Sequence, residues 1–413
     1  MRIAVVGAGI SGMASAWLLS RAHEVVLYEA ADRLGGHTET HEVEVAGRRH
    51  AVDTGFIVCN PAHYPLFMRF LDELGVATQP TSMSFAVRND ASGLEYNATT
   101  VAGLFLQKRR LFSPRHWRMI RDILRFYREA PALLEAPGPG PDLGDWLAAH
   151  GYSDAFRDDH LVPMASALWS SPSRQVLRFP AKQLVAFMAN HHMLQANDRP
   201  EWRVVRGGSS SYVRALQRGW KVAVRTGSAV RAVRRASGAV EVSTDAGTEP
   251  YDHVVLACHA DQSLALLADP GQAEREILGA IRFQRNDTVL HTDARQLPRD
   301  RRAWAAWNAL VPRDSGEECT VSYCMNILQS LDSPEPIVVT LNRTAQIAPE
   351  RILRRVTYHH PVFDAAAVAA QQRRGEIDGA NRTSYCGAWW GYGFHEDGMR
   401  SAAEVARSLG VAW

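Results

Sequence analysis

Three glycines and one acid near the start of the chain define the first chemistry. Gly7, Gly9 and Gly12 follow a G-x-G-x-x-G spacing, and Glu29 closes the apolar run that comes after them. Gly7 permits a tight turn, Gly9 lets the backbone approach a pyrophosphate, and Gly12 lets a helix pack closely on a sheet. A helix opening at Ile10 and Ser11 would offer unpaired N–H groups and a positive dipole end to phosphates. Glu29 would accept hydrogen bonds from a ribose diol. On its own the glycine pattern is weak, and its flanks give it meaning. Arg2-Ile3-Ala4-Val5-Val6 reads as a buried strand, residues 13–20 as an apolar helix, and residues 24–28 as a second strand. Strand, glycine turn, helix, strand and acid together form a dinucleotide fingerprint. Arg2, the apolar run and Ala14-Ser15-Ala16 superficially resemble a secretory signal, but cleavage there would destroy that fingerprint.

The chain of 413 residues exceeds one ordinary core, which predicts two intimately joined domains. A net charge of +2 gives no argument for nucleic acid. Cys59, Cys258, Cys319, Cys324 and Cys386 contain no CxxC pair, so neither a disulfide framework nor a metal site is expected. No apolar run of about 18 residues escapes a charge or a glycine, so no transmembrane helix is expected. A cytoplasmic protein follows.

Further along, residues 42–58 read as a hairpin turning at Ala46-Gly47-Arg48, and residues 61–74 as a helix ending at Gly75. Asp53 is either a turn cap or a cofactor neighbour. The dinucleotide-domain pattern is lost over 80–200, where helical segments cluster around the breaker 137–141. Strand-like runs return at 222–224, 229–233 and 251–258, and again within 281–343. A strand at 383–388 and an amphipathic helix running to Leu409 close the chain.

The segment Glu29-Ala30-Ala31-Asp32-Arg33-Leu34-Gly35-Gly36-His37-Thr38 resembles the one that follows the ribose acid in a flavoprotein superfamily. Its members are amine oxidases, protoporphyrinogen oxidases and phytoene (carotenoid) desaturases. The resemblance implies FAD, with Arg33 at the pyrophosphate and Gly35, Gly36, His37 and Thr38 along the cofactor. His37 stands where an Arg is common. It also implies that Asp53, Gly55 and Phe56 pass near the flavin and that the backbone at Val230 meets the adenine. The stretch from Gly387 through Gly393, Phe394 and His395 matches the superfamily's closing strand–glycine–helix unit, whose helix points at the flavin's pyrimidine edge. Ala388 replaces an acid that many relatives carry. The implied fold is α/β: a Rossmann-like FAD-binding domain of the GR2-type flavoproteins, with an interleaved α+β substrate domain. Residues 1–79, 201–280 and 381–413 would form the first, and 80–200 with 281–380 the second.

Bound FAD accepts hydride, so the reaction class is oxidation of a C–N or C–C bond. Many amine oxidases place a Lys near the flavin from the substrate-domain sheet. Here the lysines are Lys108, Lys182 and Lys221, so 281–343 supplies none. Trp389, Trp390 and Tyr392 would form either an amine cage or core. Residues 104–128 interleave Leu104, Phe105, Leu111, Phe112, Trp117, Ile120 and Leu124 with Lys108 and seven arginines. They read either as a peripheral contact with the inner face of an anionic membrane or as an ordinary amphipathic helix with solvated arginines. Trp117, Ile120, Ile123, Leu124 and Tyr127 share the expected apolar face.

Residues 52–58, Met83-Ser84-Phe85 and 391–401 resemble a bacterial subgroup often associated with cyclopropane-fatty-acid-synthase-like enzymes. One branch of it is the methylated fatty acid desaturase of furan fatty acid formation. That resemblance implies hydride abstraction from an allylic carbon of a methyl-branched unsaturated fatty acyl or phospholipid chain, giving a conjugated diene. A lipid methyltransferase would act upstream. His395, Glu396 and Asp397 are the candidate bases, His395 first because its ordinary pKa suits proton transfer near neutrality. Helix capping is the competing role for all three. An amine oxidase and a non-catalytic flavin-binding regulator are the alternative functions.

Overall fold

A computed structural model describes residues 1–138, 140–169, 172–195, 200–313 and 320–413. Cys319 and Pro139, the centre of the breaker cluster, lie outside the described residues. Cys59, Cys258, Cys324 and Cys386 are free thiols.

The apolar runs of the fingerprint pair side by side. Arg2–Val6 lies between Glu24–Tyr28 and His253–Leu256, with Ile3 opposite Val25 on one side and His253 on the other. Val222–Arg225 extends the sheet at one edge and Thr383–Tyr385 at the other, all five strands being parallel. Alternate residues feed opposite cores. Ile3, Val5, Leu27 and Val255 pack with the helices Ile10–Leu19 and His395–Ser408. Ala4, Val6, Val26 and Val254 pack with Val233, Val242 and Ile277 on the other face. Burial on both faces is why these strands read as unbroken apolar runs.

Four further sheets attach among the described residues. Val230–Ala236, Ala239–Thr244 and Gly247–Tyr251 form an antiparallel meander. Val58–Cys59, Arg203–Val205 and Thr78–Pro80 form a small sheet, and Thr40–Val45 pairs with Arg48–Asp53 in the expected hairpin. A mixed sheet of seven strands draws on Phe85–Asn89, Leu94–Asn97 and five strands between Phe283 and Pro361. Helices from Val101 to Asn190 pack against it.

Two expectations are corrected. The helix Pro114–Glu129, capped by Ser113, buries Met119 and Phe126 together with Ile123, while Ile120 and Tyr127 of the expected face are only half-buried. Trp117 and Leu124 stay exposed. The helix carries two apolar stripes, and three- and four-residue spacing cannot tell which one meets the core. The segment after Phe363, expected with 281–380, instead shares the core of the parallel sheet through Ala367, Ala370 and Ile377. The small side chains of Ala365–Gln372 allow that close packing.

Candidate functional site

The two glycine turns interlock. Gly35 N–H donates to the Ala8 carbonyl at 2.8 Å, and a Cβ on Gly36 would stand 3.0 Å from Gly9 Cα. Gly7 needs its positive φ of 100°, and a Cβ on Gly12 would meet the Gly7 carbonyl oxygen at 1.8 Å. Gly9 differs: a Cβ there would meet nothing within 4 Å. The helix starting at Ile10 and Ser11 has no side-chain cap and no acid in its first turn. Glu29 accepts from Ala8 N–H at 2.8 Å and Ala31 N–H at 2.9 Å, which holds its carboxylate at the mouth of this turn.

A second helix start converges on the first. A Cβ on Gly398 would lie 2.8 Å from Ser11 Oγ, so the closing helix packs tip to tip with the opening one. Glu396 accepts from Leu66 and Phe67 N–H at 3.1 and 3.0 Å and so caps the helix Pro65–Glu73. Asp397 accepts from Tyr392 and Phe394 N–H and pairs with Arg400. Burial pushes both carboxyls above their ordinary values, against those donors. Their oxygens are occupied by backbone, so the geometry gives them capping work.

His395, the first-ranked base, is sealed. Its Nε2 lies 3.1 Å from both the Thr38 and Tyr212 hydroxyls, which bond each other. Its ring stacks on Phe56 with centroids 3.5 Å apart. Burial drives its pKa well below the ordinary value, so it is neutral. It bolts the closing helix to the turn at Thr38, a positioning role rather than proton traffic.

The other expected residues are placed as follows. Arg33 pairs with Glu39 at 2.6 Å and donates to the Gly36 carbonyl, beside an open groove of about 570 Å³ that also carries Thr40 and Arg214. His37 is half-buried, and its buried Nε2 has no hydrogen-bond partner. Burial and the neighbouring His259 lower its pKa to about 3. Asp53 is fully buried and accepts from Thr40, Ser209 and Gln329. Burial raises it to about 6. It ties the hairpin to the start of the helix Ser210–Gly219. Gly55 is forced by close approach, since a Cβ would stand 2.1 Å from the His37 carbonyl oxygen. Val230 starts the meander. Gly387 makes room for the Trp389 indole. Gly393 turns with φ 89° against Phe363, and Phe394 stacks on Phe187 with centroids 5.1 Å apart. Trp389 is buried, donating to the Cys258 carbonyl, and Trp390 packs against it. These indoles are core and form no cage with Tyr392.

Two groups escape sequence reading. Tyr358 and His360, alternate residues of Ile352–Pro361, pack on the His37 ring at 4.8 and 5.3 Å. Their two-residue spacing on one strand was the available signal. His63, His191 and His192 gather near Phe394: His63 lies 4.9 Å from His191, and His191 lies 6.0 Å from Phe394. His191 and His192 are adjacent at the end of the helix Ala181–Asn190 and His63 comes from a distant turn, so the adjacent pair was the one local signal. Among the described residues no group of His, Cys, Asp and Glu has metal-binding geometry, and no helix is long and apolar enough to cross a membrane.

These features suit a dinucleotide flavin. Two helix N-termini converge, one without an acid of its own, while open space at Gly9 and an unpartnered His37 Nε2 leave room and a polar contact. The profile of the family described as "Flavin containing amine oxidoreductase" matches residues 10–286, and the chain belongs to that family. FAD is the cofactor that goes with it. The chain is 26% identical over 274 residues to AofH of Mycobacterium tuberculosis, assigned as a flavin-containing monoamine oxidase, covering 65% of this chain. It spans 59% of that relative's length. Two solved structures share the fold. One is the fatty acid isomerase of P. acnes that produces CLA, with TM-score 0.71, 16% identity and 99% of each chain covered. The other is a putrescine oxidase bound to putrescine, with TM-score 0.69, 15% identity and 99% of each chain covered.

Proposed function

We propose that this chain is an FAD-dependent dehydrogenase of lipid acyl chains, taking hydride from an allylic carbon of a methyl-branched unsaturated chain to give a conjugated diene. The observation that carries the reading is one apolar cluster. It runs from Leu104, Ile120 and Tyr127 on the outer helices, through Phe156 and Phe187, to Tyr392 and Phe394 at the start of the closing helix. A neighbour of the same fold acts on fatty acids. The seven-stranded sheet contains no lysine, since Lys108, Lys182 and Lys221 all lie outside its strands.

FAD held here supplies hydride acceptance. The Gly9, Ile10 and Ser11 backbone binds its diphosphate, and Glu29 holds a ribose diol. The apolar cluster excludes water and orders the acyl chain. His63 takes the second proton. Its Nδ1 is held 2.9 Å from Asn60 Oδ1, which as an acceptor leaves Nε2 unprotonated. Burial and His192 lower its pKa, so it stays neutral near pH 7.

The test mixes holoprotein anaerobically with methyl-branched unsaturated phospholipid or with amines and follows the flavin absorbance. Bleaching by the lipid with diene formation is the expected result. Bleaching by amines alone would overturn the reading in favour of amine oxidation, the second reading, which the family description favours.

A further inference from the structure

Seven large apolar side chains are more than a third exposed among the described residues, and six of them lie between 101 and 134. Phe112 is 88% exposed, Val101 74% and Leu124 58%. They sit on an ordered surface. The Trp117 indole donates to the Leu111 carbonyl at 2.8 Å and its ring meets Phe105 at 5.0 Å, which locks the turn Lys108–Phe112 to the helix Pro114–Glu129.

The charge around them is one-sided. Residues 104–128 hold eight cations and one carboxylate, in a chain whose total is only +2. Asp122 pairs with Arg121, and Glu129 and Asp159 beside the window pair with Arg125, Arg128 and Arg115. That leaves the cations of the first turns and Arg118 unmatched: Lys108, Arg109, Arg110 and Arg118 have no carboxylate partner among the described residues. Apolar tips rimmed by cations match an anionic bilayer, where the tips enter the acyl boundary and the cations meet the headgroups. A protein partner's interface would instead be depleted of lysine and of charge at its centre.

We propose that the surface formed by residues 101–124 docks on an anionic lipid bilayer. It rests on the acyl-chain reading for its purpose, because the same helices carry the apolar cluster that leads to Phe394.

The test pellets the full-length holoprotein with vesicles of palmitoyl-oleoyl phosphatidylcholine, with or without about one quarter phosphatidylglycerol. These lipids carry no methyl branch, so docking is read apart from turnover. Wild type is expected to partition at least about tenfold more onto the anionic vesicles, an advantage that shrinks with salt. The double variant Phe112→Ser/Leu124→Ser is expected to lose about tenfold while keeping its melting temperature, since both side chains already face water. Lys108→Glu/Arg118→Glu is expected to abolish the anionic preference. Equal partition on both vesicles, or variants that bind like wild type, would overturn the proposal. Wild type that oxidises micellar substrate yet ignores vesicles sinks the docking alone. Wild type that docks yet oxidises no lipid supports the docking and sinks the dehydrogenase reading.

Discussion

At Gly9 and Gly12 the same added methyl group should have opposite consequences. Gly12→Ala drives a Cβ into the Gly7 carbonyl. It is expected to lower stability by about 1–3 kcal/mol even without cofactor. Gly9→Ala meets only open space in the protein. It is expected to leave the apoprotein's melting curve alone and to lose flavin on gel filtration. Equal flavin content in Gly9→Ala and wild type would remove the diphosphate from that turn. A second contrast separates two histidines. His395→Ala strands the Thr38 and Tyr212 hydroxyls in the core, costing about 1–3 kcal/mol and flavin retention. His63→Gln is expected to keep flavin and fold while lowering kcat at least about a hundredfold. A His395→Ala variant with full flavin and stability that lost only turnover would hand the proton back to His395.

Among the elements, the closing helix does more than its own dipole would. Through Glu396 it supplies the missing N-terminal partners of the helix Pro65–Glu73. Glu396→Ala is expected to cost about 1–2 kcal/mol, measured by urea unfolding, with Glu396→Gln recovering part of it. Legibility divides along this line. The strands at 2–6, 24–28 and 253–256 were readable because burial on two faces leaves nearly unbroken apolar runs, whereas the half-buried edge strand 222–225 was readable from its β-branched valines. The hairpin at Ala46-Gly47 was readable through Gly47, which takes the second of two consecutive positive φ values freely, while Ala46 holds the first against its own preference. The carboxylate of Glu396 capping a helix 330 positions away was not, because distant partners leave no periodicity in the chain. The buried stripe of Pro114–Glu129 was misread for a related reason: two stripes satisfy the same spacing, and only the packed fold chooses between them.

The whole molecule keeps an unusual number of imidazoles dry. Burial lowers His37 and His360 to about 3, His191, His253, His259 and His291 to about 4, and holds His395 well below its ordinary value. Unfolded, each takes a proton near pH 6.5, so below that pH the unfolded chain binds more protons than the fold. Stability is therefore present above about pH 6.5 and lost as pH falls toward the folded values. Asp53, Glu396 and Asp397 act oppositely, Asp53 between 3.8 and about 6, but are three groups against seven. Melting temperature is expected to fall from pH 7 to pH 5 as the unfolded chain takes up protons that these rings do not. A flat profile over that range would mean these rings are already protonated in the fold.

The parallel sheet imposes a schedule on synthesis. Arg2–Val6 finds Glu24–Tyr28 almost at once, but its other edge must wait for His253–Leu256. At the pace of translation, about 5–20 residues per second, that edge stays open for roughly 10–50 s. The helix start at Ile10 waits longer still for its counterpart at His395. A ribosome-bound chain thus carries half a cofactor cradle and an apolar strand with one open edge until His253–Leu256 emerges. A complete flavin cradle must wait for His395.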